Sequence, residues 1–246
     1  MNKQDICILH IIEQRYPRGA EIFANNLAHS LFLRGSNNII CNLYNSDSDS
    51  FTVLEGVNYL SINGRRTGIT AKIGIQPSIL LKLVKLIRKY KPDIIIAHGA
   101  DTMKYTALAG QFYPQPLMVY KNISMASYWT DNPLKKLINS KLVRLFDAVI
   151  SVSQITGEDF KKLHRISATK VFVIFNATSL LRYQALNIER ERFQIRQNLG
   201  LKDKDNVLIN VGSLTPEKNQ GEILKLVKEL AEMSPYLVLV GDGPLR

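Results

Sequence analysis

Apolar runs alternate with helical patterns along the first 176 residues of the chain. Short apolar runs predict strands over 5–12, 39–44, 57–61, 93–97, 117–120, 148–152 and 171–174. Apolar residues at helical spacing predict helices over 20–34, 77–90, 102–111, 132–145 and 154–164. Because the strands are apolar throughout and helices separate them, we expect a parallel sheet that is covered on both faces.

The alternation breaks after Asn176 and starts again near residue 207. Residues 178–206 are polar and charged, with one predicted helix over 189–199. A strand over 207–211, a helix over 220–233 and a strand over 236–240 then form a single βαβ unit. So few strands bury little apolar surface. We therefore predict an α/β fold of two Rossmann-like, doubly wound parallel-sheet domains, over 1–178 and 179–246, with the second one incomplete.

Composition narrows the class of protein. Hydrophobic residues make up 46% of the 246 residues and charged residues 22%, as in globular proteins. No apolar run reaches the ~18 residues of a membrane span, and the N-terminus has no signal-peptide pattern, so we expect a cytoplasmic protein. Cys7 and Cys41 both lie in apolar runs, and we expect them to be buried, reduced thiols.

The net charge of +11 lies almost entirely in the first part of the chain, because residues 1–180 carry 22 Lys and Arg against 12 Asp and Glu. Two stretches, LLKLVKLIRKYK (80–91) and PLKKLINSKLVR (133–144), combine this charge with apolar residues at helical spacing. Each is either a helix packed on the sheet with a solvated basic face, or a surface that attracts an anionic membrane or substrate. Nucleic acid is not an expected partner, because no binding motif accompanies the charge.

Several motifs, in order along the chain, carry a family resemblance. They are PRGAEIFANNLAHSLFLRG, PDIIIAHG, FDAVISVSQ, VFVIFNAT, VGSLTPEKNQ and LVLVGDGPLR. In these motifs the chain resembles the retaining, nucleotide-sugar-dependent glycosyltransferases of family 4, which have the two-domain GT-B fold. The resemblance implies an acceptor site mainly in the first domain and a site for a nucleotide diphosphate sugar mainly in the second, with no further cofactor. It also implies that a large part of the usual second domain, including an acidic donor-binding segment, is absent from these residues.

The turn RYPRGAEIF, which joins the first strand to the first helix, is a candidate phosphate site. Gly19 permits close backbone approach, and the helix N-terminus that follows suits a diphosphate. The family usually has a second glycine where this chain has Arg18. Arg18 would either clamp phosphate itself or crowd the loop.

Two loops of the second domain are candidates for the donor. In GSLTPEKNQ, Gly212 ends a strand and Lys218 is predicted in the first turn of the next helix. A cation is unfavourable there, so an anionic partner would explain it. The resemblance makes Lys218 a catalytic diphosphate ligand, with Ser213 standing where the family has an arginine. Gly241 and Gly243 of the loop GDGP would line the nucleotide pocket.

Three residues at the carboxyl ends of predicted strands are the remaining candidates. His98 closes one strand, at the sheet edge where doubly wound folds bind ligands, and we expect either a structural or a catalytic, acceptor-side role. Many relatives contact the donor sugar through a histidine or arginine at the position of Lys121, which would substitute for it, with Asn122 on the acceptor side. Ser153 is predicted to cap the next helix, and Asn176 to be a turn residue.

The resemblance implies a hexosyltransferase-type enzyme of cell-surface polysaccharide or glycolipid synthesis that acts on a sugar or lipid-linked acceptor, and the basic first domain favours the inner face of the cell membrane. The resemblance also implies that the departing diphosphate would accept the acceptor's proton, and we expect the chain alone to be inactive. Two alternatives stay open: a non-catalytic remnant or split half that binds an acceptor or a partner, and a nucleotide-sugar 2-epimerase of the same fold. No metal site is expected, because the pair Asp47 and Asp49 lies in a polar loop.

Overall fold

The structure is a computed structural model that describes residues 6–45, 51–65, 75–113, 116–130, 132–177 and 187–246. The pair Asp47 and Asp49 and the first residue of the first predicted strand lie outside these ranges. The chain divides into two compact units, Met1–Ala177 and Thr178–Arg246.

A parallel sheet organises the first unit. Its strands are β1 (Cys7–Gln14), β2 (Asn37–Tyr44), β3 (Val57–Gly64), β4 (Ile94–His98), β5 (Leu117–Asn122), β6 (Ala148–Ser151) and β7 (Val171–Val173). They lie in the order β3-β2-β1-β4-β5-β6-β7, and every neighbouring pair is parallel. The predicted α/β class with a parallel sheet is confirmed. Because the strand order reverses between β1 and β4, the carboxyl ends of these two strands flank the crevice where such sheets bind ligands.

Helices cover the two faces of this sheet. They are α1 (Gly19–Phe32), α2 (Pro77–Tyr90), α3 (Ala100–Ala109), α4 (Pro133–Val143) and α5 (Gln154–His164). The core against α1 contains Ile12 and Ile40 from the strands. The core against the other helices contains the alternate strand residues, such as Leu9, Ile11 and Ile39. The pleat of the sheet therefore sends odd and even positions of a strand into different environments.

Several helices start where the sequence has strong start signals. Asn132 precedes α4, and its side chain accepts hydrogen bonds from the amides of Leu134 and Lys135. Ser153 caps α5 as predicted, in a reciprocal capping box with Thr156. These local bonds determine where both helices begin, independently of long-range packing.

The second unit contains one parallel strand pair among its described residues. Its elements are α6 (Ile188–Asn198), β8 (Val207–Val211), α7 (Gln220–Glu229) and β9 (Tyr236–Val240). Both strands expose apolar side chains, including Ile209 and Val211. The predicted helix over 220–233 ends at Glu229, and a 3-10 turn follows it.

Two further expectations can be compared with the structure. Cys41 is buried, as predicted, whereas Cys7 is only half-buried, and both thiols are free. In the part of the chain that the structure describes, no helix is long and apolar enough to cross a membrane.

Candidate functional site

A row of buried polar side chains crosses the α1 face of the sheet at its switch point. Asn38 of β2, His10 of β1, His98 of β4 and Lys121 of β5 come from four neighbouring strands. His98 and Lys121 lie side by side in the register of β4 and β5. Four polar residues on one face of a sheet are costly to bury unless they form hydrogen bonds.

Hydrogen bonds between these residues fix the protonation of both histidines. Asn38 Nδ2 donates to the carbonyl of Ser36 at 3.0 Å, which leaves its Oδ1 facing His10 Nε2 at 3.2 Å. An amide oxygen only accepts, so His10 Nε2 must carry a hydrogen. Burial lowers the pKa of His10 to about 4, despite the bond with Asn38, so the ring is neutral and its Nδ1 is an acceptor. His98 Nε2, 3.2 Å from that Nδ1, must then be the donor.

These hydrogen bonds leave one ring nitrogen of His98 as an acceptor without a hydrogen-bond partner among the described residues. Burial lowers the pKa of His98 well below its ordinary value, and the proximity of His10 and Lys121 lowers it further. The ring is therefore neutral, and since its Nε2 carries the hydrogen, its Nδ1 carries a lone pair. This Nδ1 is buried and has no hydrogen-bond partner among the described residues. A buried acceptor without a donor costs about 1–3 kcal/mol, which a ligand hydroxyl would recover.

Lys121 places a buried cation beside His98. Its Nζ donates to Asn176 Oδ1 at 2.9 Å and lies 3.0 Å from the centroid of the Phe23 ring. Burial lowers the pKa of Lys121 to about 8, so the amine is largely protonated at neutral pH. The Phe23 ring also lies against His98, with ring centroids 6.2 Å apart. A hydrogen-bond donor and an acceptor thus sit on adjacent strand ends, around one aromatic ring.

Asn122 lies on the opposite face of the sheet from this pair. Its Nδ2 donates to Ser151 Oγ at 3.4 Å and to the carbonyl of Thr156 at 3.2 Å. The sequence predicts a strand that ends at residue 120, but β5 continues to Asn122, so Lys121 and Asn122 alternate in direction. The amide therefore ties β5 to β6 and α5, which favours a structural role over the predicted acceptor-side role.

Arg18 joins the end of β1 to the start of α1. Its Nη2 donates to Glu21 Oε1 at 2.8 Å and lies 3.4 Å from Glu13 Oε2. Gly19 is the first residue of α1, as the turn motif requires. Because two carboxylates already engage the guanidinium, Arg18 would have to leave them to clamp a phosphate.

In the second unit, the two predicted glycine loops meet at the carboxyl ends of β8 and β9. The amide of Gly212 donates to the carbonyl of Val240 at 2.9 Å, and the amide of Leu214 donates to that of Asp242 at 3.0 Å. Gly241 has a φ of +151°, and a side chain there would collide with the carbonyl of Gly212. A side chain at Gly243 would collide with the backbone of Leu214. Both glycines are therefore needed to bring the two loops together.

Lys218 does not lie in the first turn of an α-helix, so this part of the sequence prediction is wrong. Pro216–Lys218 form a 3-10 turn, and α7 begins only at Gln220. The left-handed conformation of Asn219 separates the two elements. The aliphatic part of the Lys218 side chain lies over Gly212, where an added Cβ would be 3.8 Å from Lys218 Cδ. The lysine is exposed beside the loop that also contains the exposed Ser213.

The described residues contain no group of three or more His, Cys, Asp and Glu side chains that could hold a metal ion. The polar groups at the switch point of the first unit are instead nitrogen atoms that donate or accept single hydrogen bonds. Such groups suit hydroxyl-bearing or anionic ligands.

Comparison with known families bears directly on this site. The family profile for Glycosyltransferase Family 4 matches residues 17–180, which is about two thirds of the chain and includes His98 and Lys121. The chain belongs to glycosyltransferase family 4. Among curated relatives of this chain, the Escherichia coli enzyme UDP-Gal:alpha-D-GlcNAc-diphosphoundecaprenol alpha-1,3-galactosyltransferase is 29% identical over 177 residues. That match covers 68% of this chain and 44% of the relative.

Solved structures with a similar fold match nearly the whole of the family 4 chain. The Anabaena protein HepE, in complex with UDP-glucose, has a TM-score of 0.76 at 20% identity, covering 96% of this chain and 61% of HepE. The UDP-GlcNAc 2-epimerase of Neisseria meningitidis, bound to UDP-GlcNAc, has a lower TM-score of 0.62 at 15% identity, covering 95% and 65%. The family 4 chain spans less than half the length of the curated relatives that it matches.

Sequence reasoning missed three residues around His98 and Lys121. His10 and Asn38 occupy strand positions outside any local motif, and Phe23 ends the turn motif RYPRGAEIF, in which only Arg18 and Gly19 were candidates. The available signal was a polar residue next to or inside an apolar run: His10 lies within ICILHII, and Asn38 is the second residue of NNIICNLY. A polar residue at such a position needs a buried partner, so its presence indicates a network even before the partner is known.

Proposed function

We propose that the protein takes part in retaining transfer of a hexose from a nucleotide diphosphate sugar to a sugar or lipid-linked acceptor. The observation that carries the proposal is the pair formed by the His98 Nδ1 acceptor and the Lys121 cation at the switch point of the sheet. A sugar hydroxyl both donates and accepts hydrogen bonds, so it suits a site that offers one acceptor and one donor. Membership of family 4 supports transfer as the reaction in which such a hydroxyl is bound.

The donor side of the proposal rests on the second unit. The glycine loops at Gly212 and Gly241 leave backbone free to approach a nucleotide, and Lys218 supplies a cation beside them. We propose that Lys218 stabilises the departing diphosphate, which in turn accepts the proton of the attacking hydroxyl. No protein nucleophile is then required, and the configuration at the anomeric carbon is kept. HepE is described with UDP-glucose, which makes UDP-hexoses the first donors to try.

The acceptor side of the proposal rests on the first unit. The name of the E. coli relative specifies a sugar carried on diphosphoundecaprenol, a lipid-linked acceptor. We propose an acceptor of this chemical class, and therefore a protein that works at the surface of a membrane. His98 and Lys121 would orient a hydroxyl of one of the two sugars.

A labelled-donor assay tests the proposed reaction. The purified protein, with any coding sequence that continues in frame past Arg246, is incubated with a panel of radiolabelled UDP-hexoses and a lipid extract that contains lipid-linked sugars. We expect label to enter the lipid fraction and the product to keep the anomeric configuration of the donor. The 246-residue chain alone is expected to transfer no label, since among its described residues the donor side consists of two backbone loops and one exposed lysine.

The other outcomes separate the competing functions. Interconversion of the donor sugar without an acceptor would identify an epimerase and contradict the proposal. Binding of lipid-linked sugar without turnover of any donor, even with the longer protein, would identify a non-catalytic binding module. A product of inverted configuration would contradict retention while leaving transfer intact.

The variant Lys218→Ala should reduce transfer in the same assay roughly 10²–10³-fold, as expected for loss of one leaving-group contact.

A further inference from the structure

Helix α4 presents apolar side chains on two opposite faces. Its inner face packs into the core through Leu142 and Val143. On its outer face, Leu134, Leu137 and Ile138 expose 64%, 55% and 47% of their surfaces, and Leu145 is exposed just after the helix. The spacing of i, i+3, i+4 and i+11 aligns these four residues, which we call the outer stripe. A helix that only packs on a sheet would be polar on this side.

Cations lie within and beside the outer stripe. Residues 132–146 contain Lys135, Lys136, Lys141 and Arg144 but no aspartate or glutamate. Lys141 follows Leu134 by seven residues and Arg144 follows Leu137 by seven, so both align with the stripe, whereas Lys136 precedes the buried Val143 by seven residues and lies on the other side of the helix. Long aliphatic stems allow such side chains to lie along an apolar surface and keep the charge at its polar edge.

We propose that the outer stripe of α4 docks on an anionic lipid surface, with the helix lying in the plane of the interface. A helix of 11 residues is only about 16 Å long, too short to cross a bilayer, but its apolar stripe and basic rim match those of interfacial helices. The inference deepens the proposed function, because it names the surface that would bring the enzyme to a lipid-linked acceptor. Its test measures binding, so it can fail or succeed independently of transfer.

Charge argues for lipid over a second copy of the chain. Pairing two outer stripes would bring Lys141 and Arg144 of both copies together, and residues 132–146 contain no acidic side chain to neutralise them. Like charges at an interface oppose association, and lysine is depleted from the cores of protein interfaces. An anionic headgroup layer complements the rim, and an acyl layer complements the stripe.

Helix α2 is an ordinary basic helix, and it differs from α4 on its outer face. Its apolar residues Ile79, Leu83, Val84 and Ile87 pack into the core. Its outer face carries Lys85 and Lys89 with one large exposed apolar residue, Leu81, at 62% exposure. The two basic stretches of the sequence therefore differ: α2 has a solvated basic face, whereas α4 has an apolar stripe inside a basic rim.

Vesicle co-sedimentation tests the docking surface. The purified protein is mixed with vesicles of equal parts phosphatidylcholine and phosphatidylglycerol, and with vesicles of phosphatidylcholine alone, at low and high salt. We expect binding to the anionic vesicles that weakens with salt. The variant Leu137→Ser/Ile138→Ser should weaken binding at least tenfold, and Lys141→Glu/Arg144→Glu roughly tenfold at low salt. All four positions are exposed, and far-UV circular dichroism checks that the variants stay folded.

Matched substitutions on α2 provide the control. Leu81→Ser removes an equally exposed leucine, and Lys85→Glu/Lys89→Glu reverses two cations on a helix of similar charge. Both should bind vesicles as the wild type does. The proposal is overturned if the wild type does not prefer anionic vesicles, or if the α2 variants lose as much binding as the α4 variants. It is equally overturned if the wild type is a dimer that Leu137→Ser/Ile138→Ser dissociates.

Discussion

We expect the substitution Lys121→Met to make the protein more stable and, at the same time, less active. The Lys121 amine is buried, and its bond to Asn176 and its contact with Phe23 do not compensate for lost hydration, because its pKa is lowered to about 8. Holding the charge in the folded state therefore costs up to about 3 kcal/mol near neutral pH. Methionine keeps most of the side-chain volume and removes this cost. Chemical denaturation should show a gain of about 1–3 kcal/mol in the free energy of unfolding.

The size of this gain should depend on pH in a definite direction. Lys121 titrates near 8 in the folded protein and near 10.5 when unfolded, so between these values the unfolded chain binds more protons. The wild type then becomes more stable as pH rises, whereas the methionine variant does not gain from this group. The advantage of the variant should be full below pH 8 and should disappear near pH 10.5. A constant difference across this range would contradict the assigned cost.

The substitution Lys121→Met should also lower the transfer activity. Loss of the Lys121 cation should lower kcat/KM of the transfer-competent protein roughly 10²-fold, as for loss of a single preorganised donor. Wild-type activity should also decline as pH rises above 8, where the amine loses its proton. Lys85→Met, on an exposed face of α2, is the matched control and should change stability by no more than about 0.5 kcal/mol and leave activity unchanged. A variant of Lys121 that is stabilised but fully active would show that the lysine does not serve the reaction.

The second large effect is expected from Asn38→Asp, a substitution of nearly identical shape. A carboxylate still accepts from His10 Nε2, but its charge favours a doubly protonated His10 ring. His10 Nδ1 would then donate to His98 Nε2, so the hydrogen of His98 would move to Nδ1. The free acceptor at the site becomes a donor, although no residue of the site itself has changed. We expect kcat/KM to fall roughly 10- to 100-fold, the cost of an unmade hydrogen bond at a buried position.

Long-range ¹H–¹⁵N correlation spectra of the imidazole rings measure this change directly. The wild type should show hydrogen on Nε2 of both His10 and His98. Asn38→Asp should show hydrogen on both nitrogens of His10 and on Nδ1 of His98. The control is Asn42→Asp, which also buries a carboxylate in β2 but whose side chain bonds to Tyr44 and Tyr59. The prediction would be contradicted if Asn38→Asp gave the same spectrum as the wild type and both aspartate variants lost activity to the same extent. Asn38 would then contribute to packing and not to the protonation of the histidines.

The strands and helices could be predicted from the sequence because their signals are local. Apolar runs of four to eight residues marked the buried strands, and Ser153 marked the start of α5. The position of His98 at a strand end was equally local, and it placed the residue at the correct edge of the sheet. Lys218 shows the limit of this approach, because it was predicted in the first turn of the next helix, whereas a left-handed Asn219 separates it from α7.

The network around His98 could not be predicted because it depends on pairing between distant strands. Asn38 and His10 become neighbours only when β2 pairs with β1, and His10 meets His98 only when β1 pairs with β4. The continuation of β5 to Asn122 also determines that Lys121, and not Asn122, lies on the same face of the sheet as His98. Lys121 and Asn122 are adjacent in sequence but lie on opposite faces, since side chains alternate along a strand.

A double-mutant cycle between His98 and the sugar tests the central claim most directly. The transfer-competent protein and its His98→Phe variant are assayed with the parent sugars and with a series of deoxy analogues of donor and acceptor. If His98 Nδ1 accepts a hydrogen bond from one sugar hydroxyl, removing that hydroxyl should cost the wild type roughly 10- to 100-fold in kcat/KM and cost the variant little. The account predicts one such hydroxyl, with a coupling energy of about 1.4–2.7 kcal/mol. Losses that are additive for every analogue would contradict it.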